Sequence, residues 1–161
     1  FMLVATQNPC PCGYSGDPLM QCQCSPSQVQ RYQHKVSGPL LDRIDIKVHV
    51  GRIKNEDILA QRKSESSAKI ATRVSAARTI QIERLRNSAS RTNSELSNAE
   101  IKQHCGLNDD TQALANQALS QLRLSARSFM RVLKVGRTIA DLDSSEQIEI
   151  QHFSEALQYR L

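Results

Sequence analysis

The stretch Ser125-Ala-Arg-Ser-Phe-Met-Arg-Val-Leu-Lys-Val-Gly-Arg-Thr-Ile-Ala-Asp-Leu142 carries the clearest folding signal in this 161-residue chain. Phe129, Leu133, Gly136 and Ala140 recur at intervals of four, three and four residues, which places them on one face of a helix. The first residue of the stretch is a serine, which suits a helix N-cap. The stretch therefore predicts an amphipathic helix that packs by one face against other helices.

Similar signals on both sides of this stretch predict further helices. The chain has three Phe, three Tyr and no Trp, so its core must be built from Leu, Ile, Val and Ala, which favour helix-on-helix packing. The fold class is therefore predicted to be mainly α. The predicted helices lie at residues 26–36, 39–43, 57–87, 97–104, 109–123 and around 150–157.

Two short segments instead predict β-strands. Residues 1–6 form an apolar run that ends at Gln7-Asn8-Pro9, and residues 44–50 alternate apolar and polar side chains. The composition changes after this second segment. We therefore expect residues 1–52 to belong to an α/β region, residues 53–65 to form a linker or the beginning of a helix, and residues 66–161 to form a helical domain.

The charge is positive and unevenly distributed. The formal net charge is +5, and residues 62–91 contain eight Lys and Arg against Glu65 and Glu83 alone. This stretch either contacts phosphates or forms a solvated helix face that keeps the chain soluble. Because no apolar run approaches the roughly 20 residues that span a bilayer and no secretion signal is visible, we expect a cytoplasmic protein with no membrane contact.

Four cysteines form the strongest chemical motif. Cys10 and Cys12 are separated by one residue, as are Cys22 and Cys24, and nine residues lie between the pairs. Four thiolates on a loop rich in Gly and Pro suit a tetrahedral Zn²⁺ ion. Disulfides and four unrelated thiols are the alternatives, although a reducing cytoplasm disfavours disulfides. The fifth cysteine, Cys105, ends a helical pattern and is predicted to be a buried apolar residue.

Three motifs together resemble a known family. They are Ala5-Thr-Gln-Asn-Pro-Cys-Pro-Cys-Gly-Tyr14, Ser37-Gly-Pro-Leu-Leu-Asp-Arg-Ile-Asp45 and the helical stretch that begins at Ser125. In this order, and over essentially the whole chain, they resemble the ComM (YifB) family of bacterial magnesium-chelatase-like AAA+ ATPases. The resemblance implies that residues 1–52 are the last strands and helices of an α/β P-loop AAA+ core. Residues 66–161 are then the C-terminal helical lid bundle.

The resemblance also implies roles for three polar residues. Asn8 matches sensor 1, which orients the water that attacks the γ-phosphate, although an Asn before Pro is also a common turn former. Arg43 matches an arginine finger directed at the ATP of a neighbouring subunit. From the residues alone, a salt bridge to Asp42 or Asp45 is the preferred interpretation. Arg127 matches sensor 2, which contacts the ATP phosphates.

Other parts of an ATP site are not visible in the sequence. There is no G-x-x-x-x-G-K-[ST] loop and no apolar strand that ends in paired acidic residues. We therefore expect ATP and Mg²⁺ to be cofactors of a longer, full-length enzyme, and this chain alone to be inactive and monomeric. Three cations after Arg127, namely Arg131, Lys134 and Arg137, are predicted to be surface charges or interface contacts.

For the full-length protein, the resemblance implies a homo-hexameric ATP hydrolase that acts on DNA, with a helicase-like role in branch migration during natural transformation. The alternative is a helical DNA- or protein-binding module with a zinc clasp and no motor role. Residues 97–105 and 109–123 superficially suit a helix-turn-helix, but Arg123 is the only cation of the second helix, and a recognition helix usually carries more.

Overall fold

Helices make up the regular structure of the protein. The structure is a computed structural model that describes residues 2–53 and 64–160. Within these residues no helix is both long enough and apolar enough to cross a membrane. The helices are α1 (Pro26–Gln33), α2 (Gly38–Leu41), α3 (Ser67–Arg84), a 3₁₀ turn (Asn93–Glu95), α4 (Asn98–His104), α5 (Asp109–Gln121), α6 (Ala126–Leu142) and α7 (Ile150–Gln158).

The prediction of a mainly α fold is confirmed, and the helices begin where capping side chains lie. The Ser25 and Ser97 hydroxyls each accept the backbone N–H of the residue three positions later, which is Gln28 or Glu100. The side chain of that residue accepts the serine N–H in turn, and this completes two capping boxes. Ser125 caps α6 as predicted, since its hydroxyl accepts the N–H of Ser128 at 3.1 Å. The first part of the helix predicted at 57–87 lies outside the described residues.

The two predicted strands are wrong for the residues that the structure describes. Residues 2–6 and 44–50 belong to no β-ladder, and the only bridge in the described ranges joins Leu107 and Ile148. A strand needs a neighbouring strand with which to exchange a series of backbone hydrogen bonds, and neither segment has one among the described residues. Apolar periodicity alone therefore did not produce strands.

The described residues divide into two units. The first contains residues 2–44 and 49–53, and thus the cysteine loop, α1 and α2. The second contains residues 45–48 and 64–160, with helices α3 to α7. Within the second unit, the Lys47 N–H donates to the Tyr159 carbonyl oxygen at 2.9 Å. Most of the predicted linker at 53–65 lies outside the described residues.

Helix α6 forms the centre of the second unit. It packs against α7, α3, α4 and the 3₁₀ turn. Its predicted face is confirmed, because Leu133, Gly136 and Ala140 are buried and Phe129 packs edge-to-face on Phe153 with ring centroids 6.3 Å apart. The predicted burial of Cys105 is confirmed as well, and burial raises the pKa of its thiol to about 11.

The prediction that all three cations after Arg127 lie at the surface is wrong for Arg137, which is only 2% exposed. Its Nε donates to the buried carboxylate of Asp141 at 3.1 Å, and its Nη1 donates to the Glu146 carbonyl oxygen at 2.8 Å. A guanidinium tolerates burial when acceptors surround it in this way. Arg131 forms an ion pair with Asp45 at the surface of the unit.

Candidate metal centre and predicted nucleotide-contact residues

Four cysteine thiols converge in the first unit. Cys10 Sγ lies 3.4 Å from Cys12 Sγ and 3.7 Å from Cys22 Sγ, and the Sγ atoms of Cys12 and Cys22 are 3.5 Å apart. With Cys24 included, all four sulfur atoms lie within 4.8 Å of one another. Cys10 is fully buried and the others are half-buried. The structure therefore brings together all four predicted metal ligands.

The sulfur separations match those of a metal site rather than disulfides. A tetrahedral ion with four thiolates at about 2.3 Å places neighbouring sulfurs about 3.8 Å apart. The distances of 3.4–3.7 Å lie just below that value. They greatly exceed the disulfide length of about 2.05 Å, and all four cysteines are free thiols.

Two glycines shape the loop around Cys10. Gly13 and Gly16 have φ values of +85° and +82°, in the left-handed region that side chains with a Cβ rarely adopt. The resulting turns let the Gly13 N–H donate to the Cys10 carbonyl oxygen at 3.0 Å and the Ser15 N–H donate to Cys10 Sγ at 3.3 Å. A backbone donor of this kind stabilises a thiolate and fixes its direction.

The loop is held on two further sides. Asp17 accepts the N–H groups of Leu19 and Met20 at 2.8 and 2.9 Å and pairs with Arg52 at 3.5 Å, and the Leu19 N–H is the main reason that its pKa is lowered. On the other side, Gln33 of α1 donates to the Pro9 carbonyl oxygen at 3.2 Å. A hydrogen bond therefore connects α1 to the start of the cysteine loop.

The thiols differ in their tendency to ionise. Backbone N–H groups of Tyr14 and Gln23 lower the pKa of Cys12 to about 6. At Cys22 the backbone hydrogen bond from Cys24 favours the thiolate, but burial and the neighbouring thiols outweigh it and raise the pKa to about 12. Crowded thiols ionise in turn because like charges repel, and a bound divalent cation would relieve that repulsion.

The three residues with predicted nucleotide roles are all exposed. Asn8 and Arg43 belong to the first unit, and Arg127 lies in the first turn of α6 in the second unit. Arg43 follows α2 and donates from Nη1 to the Pro39 carbonyl oxygen at 2.7 Å. Arg127 has no carboxylate partner among the described residues. Their proposed roles require contacts that lie outside the described residues.

A further feature of the first unit escaped the sequence patterns. Between α1 and the cysteine loop lies an open depression of about 200 Å³, which we call the α1 concavity. The Lys35 ammonium lies 5.7 Å from the centroid of the Tyr32 ring. The sequence signal that could have indicated it is the spacing of four residues between Arg31 of α1 and Lys35 in the turn after the helix. The residues that line the α1 concavity are Pro11, Cys24, Gln28, Arg31, Tyr32 and Lys35.

Two family models match the chain in sequence. Residues 1–58 match the model described as magnesium chelatase, subunit ChlI, and residues 64–160 match the model of the C-terminal part of that subunit. The first match contains the cysteine loop, Asn8 and Arg43. The second contains all of the helices α3 to α7 and Arg127.

Individual relatives match across nearly the whole chain. The chain is 40% identical to the competence protein ComM of Haemophilus influenzae over 166 residues. It is also 40% identical to YifB of Escherichia coli and 39% identical to YifB of Salmonella typhimurium, each over 163 residues. In all three cases the match covers 99% of this chain but only 30–31% of the relative. The chain thus spans about a third of the length of these relatives.

Proposed function

Because the chain belongs to the magnesium-chelatase-like ComM/YifB family, which is an AAA+ family, we propose that it is the C-terminal part of an ATP-driven motor that acts on DNA. The observation that carries this proposal is the 40% identity to ComM over 99% of the chain. Nucleotide and Mg²⁺ belong to the family as a whole. The full-length protein would be a cytoplasmic homo-hexamer that promotes branch migration.

In this proposal three side chains complete the nucleotide site. The Asn8 amide can donate and accept a hydrogen bond at the same time, which suits the orientation of an attacking water. The Arg43 guanidinium carries a permanent charge and would stabilise negative charge that develops on a phosphoryl group of the neighbouring subunit. Arg127 would couple the lid to the phosphates. The exposure of all three leaves them accessible for such contacts.

The DNA partner is supported by the charge of α3 and the turn after it. Lys69, Arg73, Arg78 and Arg86 are all exposed. Exposed cations on one element attract a nucleic-acid backbone without reading its sequence. A motor that moves along DNA of any sequence needs contacts of this type.

The cysteine loop would hold a structural zinc ion in the same protein. Of the side chains between residues 10 and 24, only Cys10 is fully buried, while Leu19 and Met20 are exposed. A loop without an apolar core gains little from hydrophobic burial, so a metal with four thiolate ligands would supply its stability. Zinc would thus fix the loop, with no part in ATP hydrolysis.

The direct test is the activity of a protein extended to the full length of its relatives. We expect its ATP hydrolysis to be stimulated by single-stranded or branched DNA, and we expect it to move a DNA junction when ATP is present. The helical binding module with a zinc clasp predicts DNA or protein binding without hydrolysis. DNA binding without any ATP turnover would overturn the motor proposal, and turnover by residues 1–161 alone would contradict the placement of the phosphate-binding loop elsewhere.

A further inference from the structure

The α1 concavity is positively charged in a region that is almost free of carboxylates. Arg31 lies on α1 and Lys35 lies four residues later, in the turn that follows the helix, and both line the concavity. In residues 1–41 the only acidic residue is Asp17, which pairs with Arg52. Neither Arg31 nor Lys35 has a carboxylate partner in the part of the chain that the structure describes. The two cations are therefore available to an external anion.

An aromatic ring lies between these two cations in sequence and beside them in space. Tyr32 is half-buried, and the Lys35 ammonium lies 5.7 Å from its ring centroid. A ring with adjacent cations is the combination that binds a base by stacking and the attached phosphates by charge. Gln33, the residue after Tyr32, donates to the Pro9 carbonyl oxygen at 3.2 Å and so connects this end of α1 to the start of the loop.

The dimensions favour a polymer over an enclosed small molecule. The depression of about 200 Å³ is open to solvent and lies below the roughly 300–1,000 Å³ of pockets that enclose a small ligand. A ring of one base could enter it while the flanking phosphates contact the exposed cations. In a duplex the bases are paired and stacked, so only an unpaired strand offers a free base.

We propose that the α1 concavity binds single-stranded nucleic acid, with one base on Tyr32 and two phosphates on Arg31 and Lys35. The inference rests on the proposed action on DNA and assigns a contact surface for it. It extends that function to the zinc loop, because Pro11 and Cys24 also line the concavity. The loop would thus hold the binding surface in shape.

Two alternative roles of the cations predict different results. A Zn²⁺ ion with four thiolates has a net charge of −2, which Arg31 and Lys35 could balance; their loss would then weaken zinc binding and leave nucleic-acid binding unchanged. An acidic protein segment could also bind two cations. It would have no need of the Tyr32 ring as a stacking surface, since carboxylates do not stack on aromatic rings.

The test measures binding of a fluorescein-labelled oligothymidylate to the zinc-loaded protein by anisotropy, without nucleotide and at several salt concentrations. Each phosphate contact to a single strand contributes about 0.7 to the slope of log affinity against log salt. The double variant Arg31→Ala/Lys35→Ala should therefore lower that slope by about 1.4. Tyr32→Ala should weaken binding about tenfold through lost stacking, and Tyr32→Phe should bind like the wild type.

Lys102→Ala provides the matched control, because Lys102 is an exposed cation of α4 in the second unit. Its slope should match the wild type. Zinc affinity, measured by competition with a chromophoric chelator, should be unchanged in every variant. Any one of three results would overturn the proposal. They are a wild-type slope in the double variant, a loss of zinc binding with no loss of nucleic-acid binding, and tight polyglutamate binding that Tyr32→Ala leaves intact.

The result is separable from the motor proposal. If the full-length wild type shows DNA-stimulated ATP hydrolysis and the variants bind oligothymidylate normally, only the α1 concavity is wrong as the contact surface. If the variants lose binding as expected but no ATP is hydrolysed, the binding surface stands and the motor proposal fails.

Discussion

Arg84 and Asp141 form a two-point ion pair that joins the end of α3 to the end of α6. Nη1 of Arg84 donates to Oδ1 at 2.6 Å and Nη2 donates to Oδ2 at 2.7 Å. Asp141 also accepts from Nε of Arg137 and from Nδ2 of Asn93. Arg84 and Asn93, both distant in the chain, and Arg137, four residues before Asp141, thus share one buried carboxylate.

Replacement of Asp141 should therefore destabilise the second unit severely. Asp141→Ala removes the carboxylate that balances the positive charges of Arg84 and Arg137, at a residue that is only 1% exposed. Removal of one partner from a buried charge pair costs about 3–5 kcal/mol. Urea unfolding would measure this loss. Glu83→Ala on α3, which removes an exposed carboxylate, should change the free energy of unfolding by less than about 0.5 kcal/mol, and equal effects of the two substitutions would contradict the shared-carboxylate explanation.

Gly136 offers a stabilising substitution on the buried face of α6. A Cβ placed on it would lie 3.4 Å from Ile148 Cγ2 and 3.8 Å from Ala156 Cβ, which is van der Waals contact. Gly in a helix interior costs about 1 kcal/mol relative to Ala, so Gly136→Ala should raise the free energy of unfolding by up to about that amount. Gly136→Val adds two methyl groups to the same space and should destabilise by about 1–3 kcal/mol. Thermal or urea unfolding of the pair is the measurement, and the same sign for both variants would be the contrary outcome.

The cysteine cluster should bind one zinc ion per chain. Cys10→Ser removes the fully buried ligand, and we expect zinc affinity to fall by more than about 100-fold, the upper range for residues that merely support a ligand. Competition with a chromophoric chelator gives the affinity, and the visible absorption of the Co²⁺ form reports thiolate ligation. Cys105→Ala is the control, because this thiol lies in the core of the second unit.

Removal of the metal should affect only the first unit. Chelation is expected to abolish amide-exchange protection around residues 10–24 while the helices of the second unit keep theirs. Two results would show that the thiols have another role. One is wild-type zinc affinity in Cys10→Ser, and the other is disulfides that re-form among these cysteines after the protein has been reduced.

Glu100 should make the stability of the second unit sensitive to acid. Hydrogen bonds from the Ser88 hydroxyl and from the hydroxyl and N–H of Ser97 lower the pKa of its carboxyl to about 2, and the Ser90 hydroxyl donates a further one at 3.0 Å. The folded protein therefore takes up the proton less readily than the unfolded chain. Its contribution to stability is complete above about pH 4.5 and is lost as the pH falls towards 2.

Glu100→Gln should flatten the dependence of unfolding free energy on pH in that range, whereas Glu83→Gln should keep the wild-type curve. Urea unfolding at successive pH values is the measurement. If Glu100→Gln retained the full acid-side slope, the hydrogen bonds from these three serines would not be the source of the effect.

The features that sequence patterns predicted correctly depend on neighbours in the chain. The helix at Ser125 follows from a cap and a four-three-four spacing, and the thiols of Cys10 and Cys22 can meet because glycine turns lie between the two cysteine pairs. What the patterns missed depends on distant partners. The carboxylate of Asp141, which Arg137 contacts four residues away, also pairs with Arg84, 57 residues away, and no pattern along the chain shows that second pairing.

The strands and the α1 concavity illustrate the same limit. Alternation over residues 44–50 describes a side-chain period, but a strand also needs a partner backbone, which the pattern does not contain. The α1 concavity exists because α1 packs on the cysteine loop through a contact between Gln33 and Pro9. No sequence motif at Gln33 or Pro9 predicts this contact.

The most direct test of the central claim is DNA-stimulated ATP hydrolysis by the full-length protein with Arg43→Ala or Arg127→Ala. Ring assembly is checked by sedimentation, and Lys102→Ala, which removes an exposed cation of α4, serves as the control. If both guanidiniums contact the nucleotide, each variant should assemble normally and lose most of its turnover, by about 10³-fold or more for an arginine finger, while the control keeps its DNA-stimulated turnover. Full turnover in both variants would contradict the assignment of this chain to the nucleotide site.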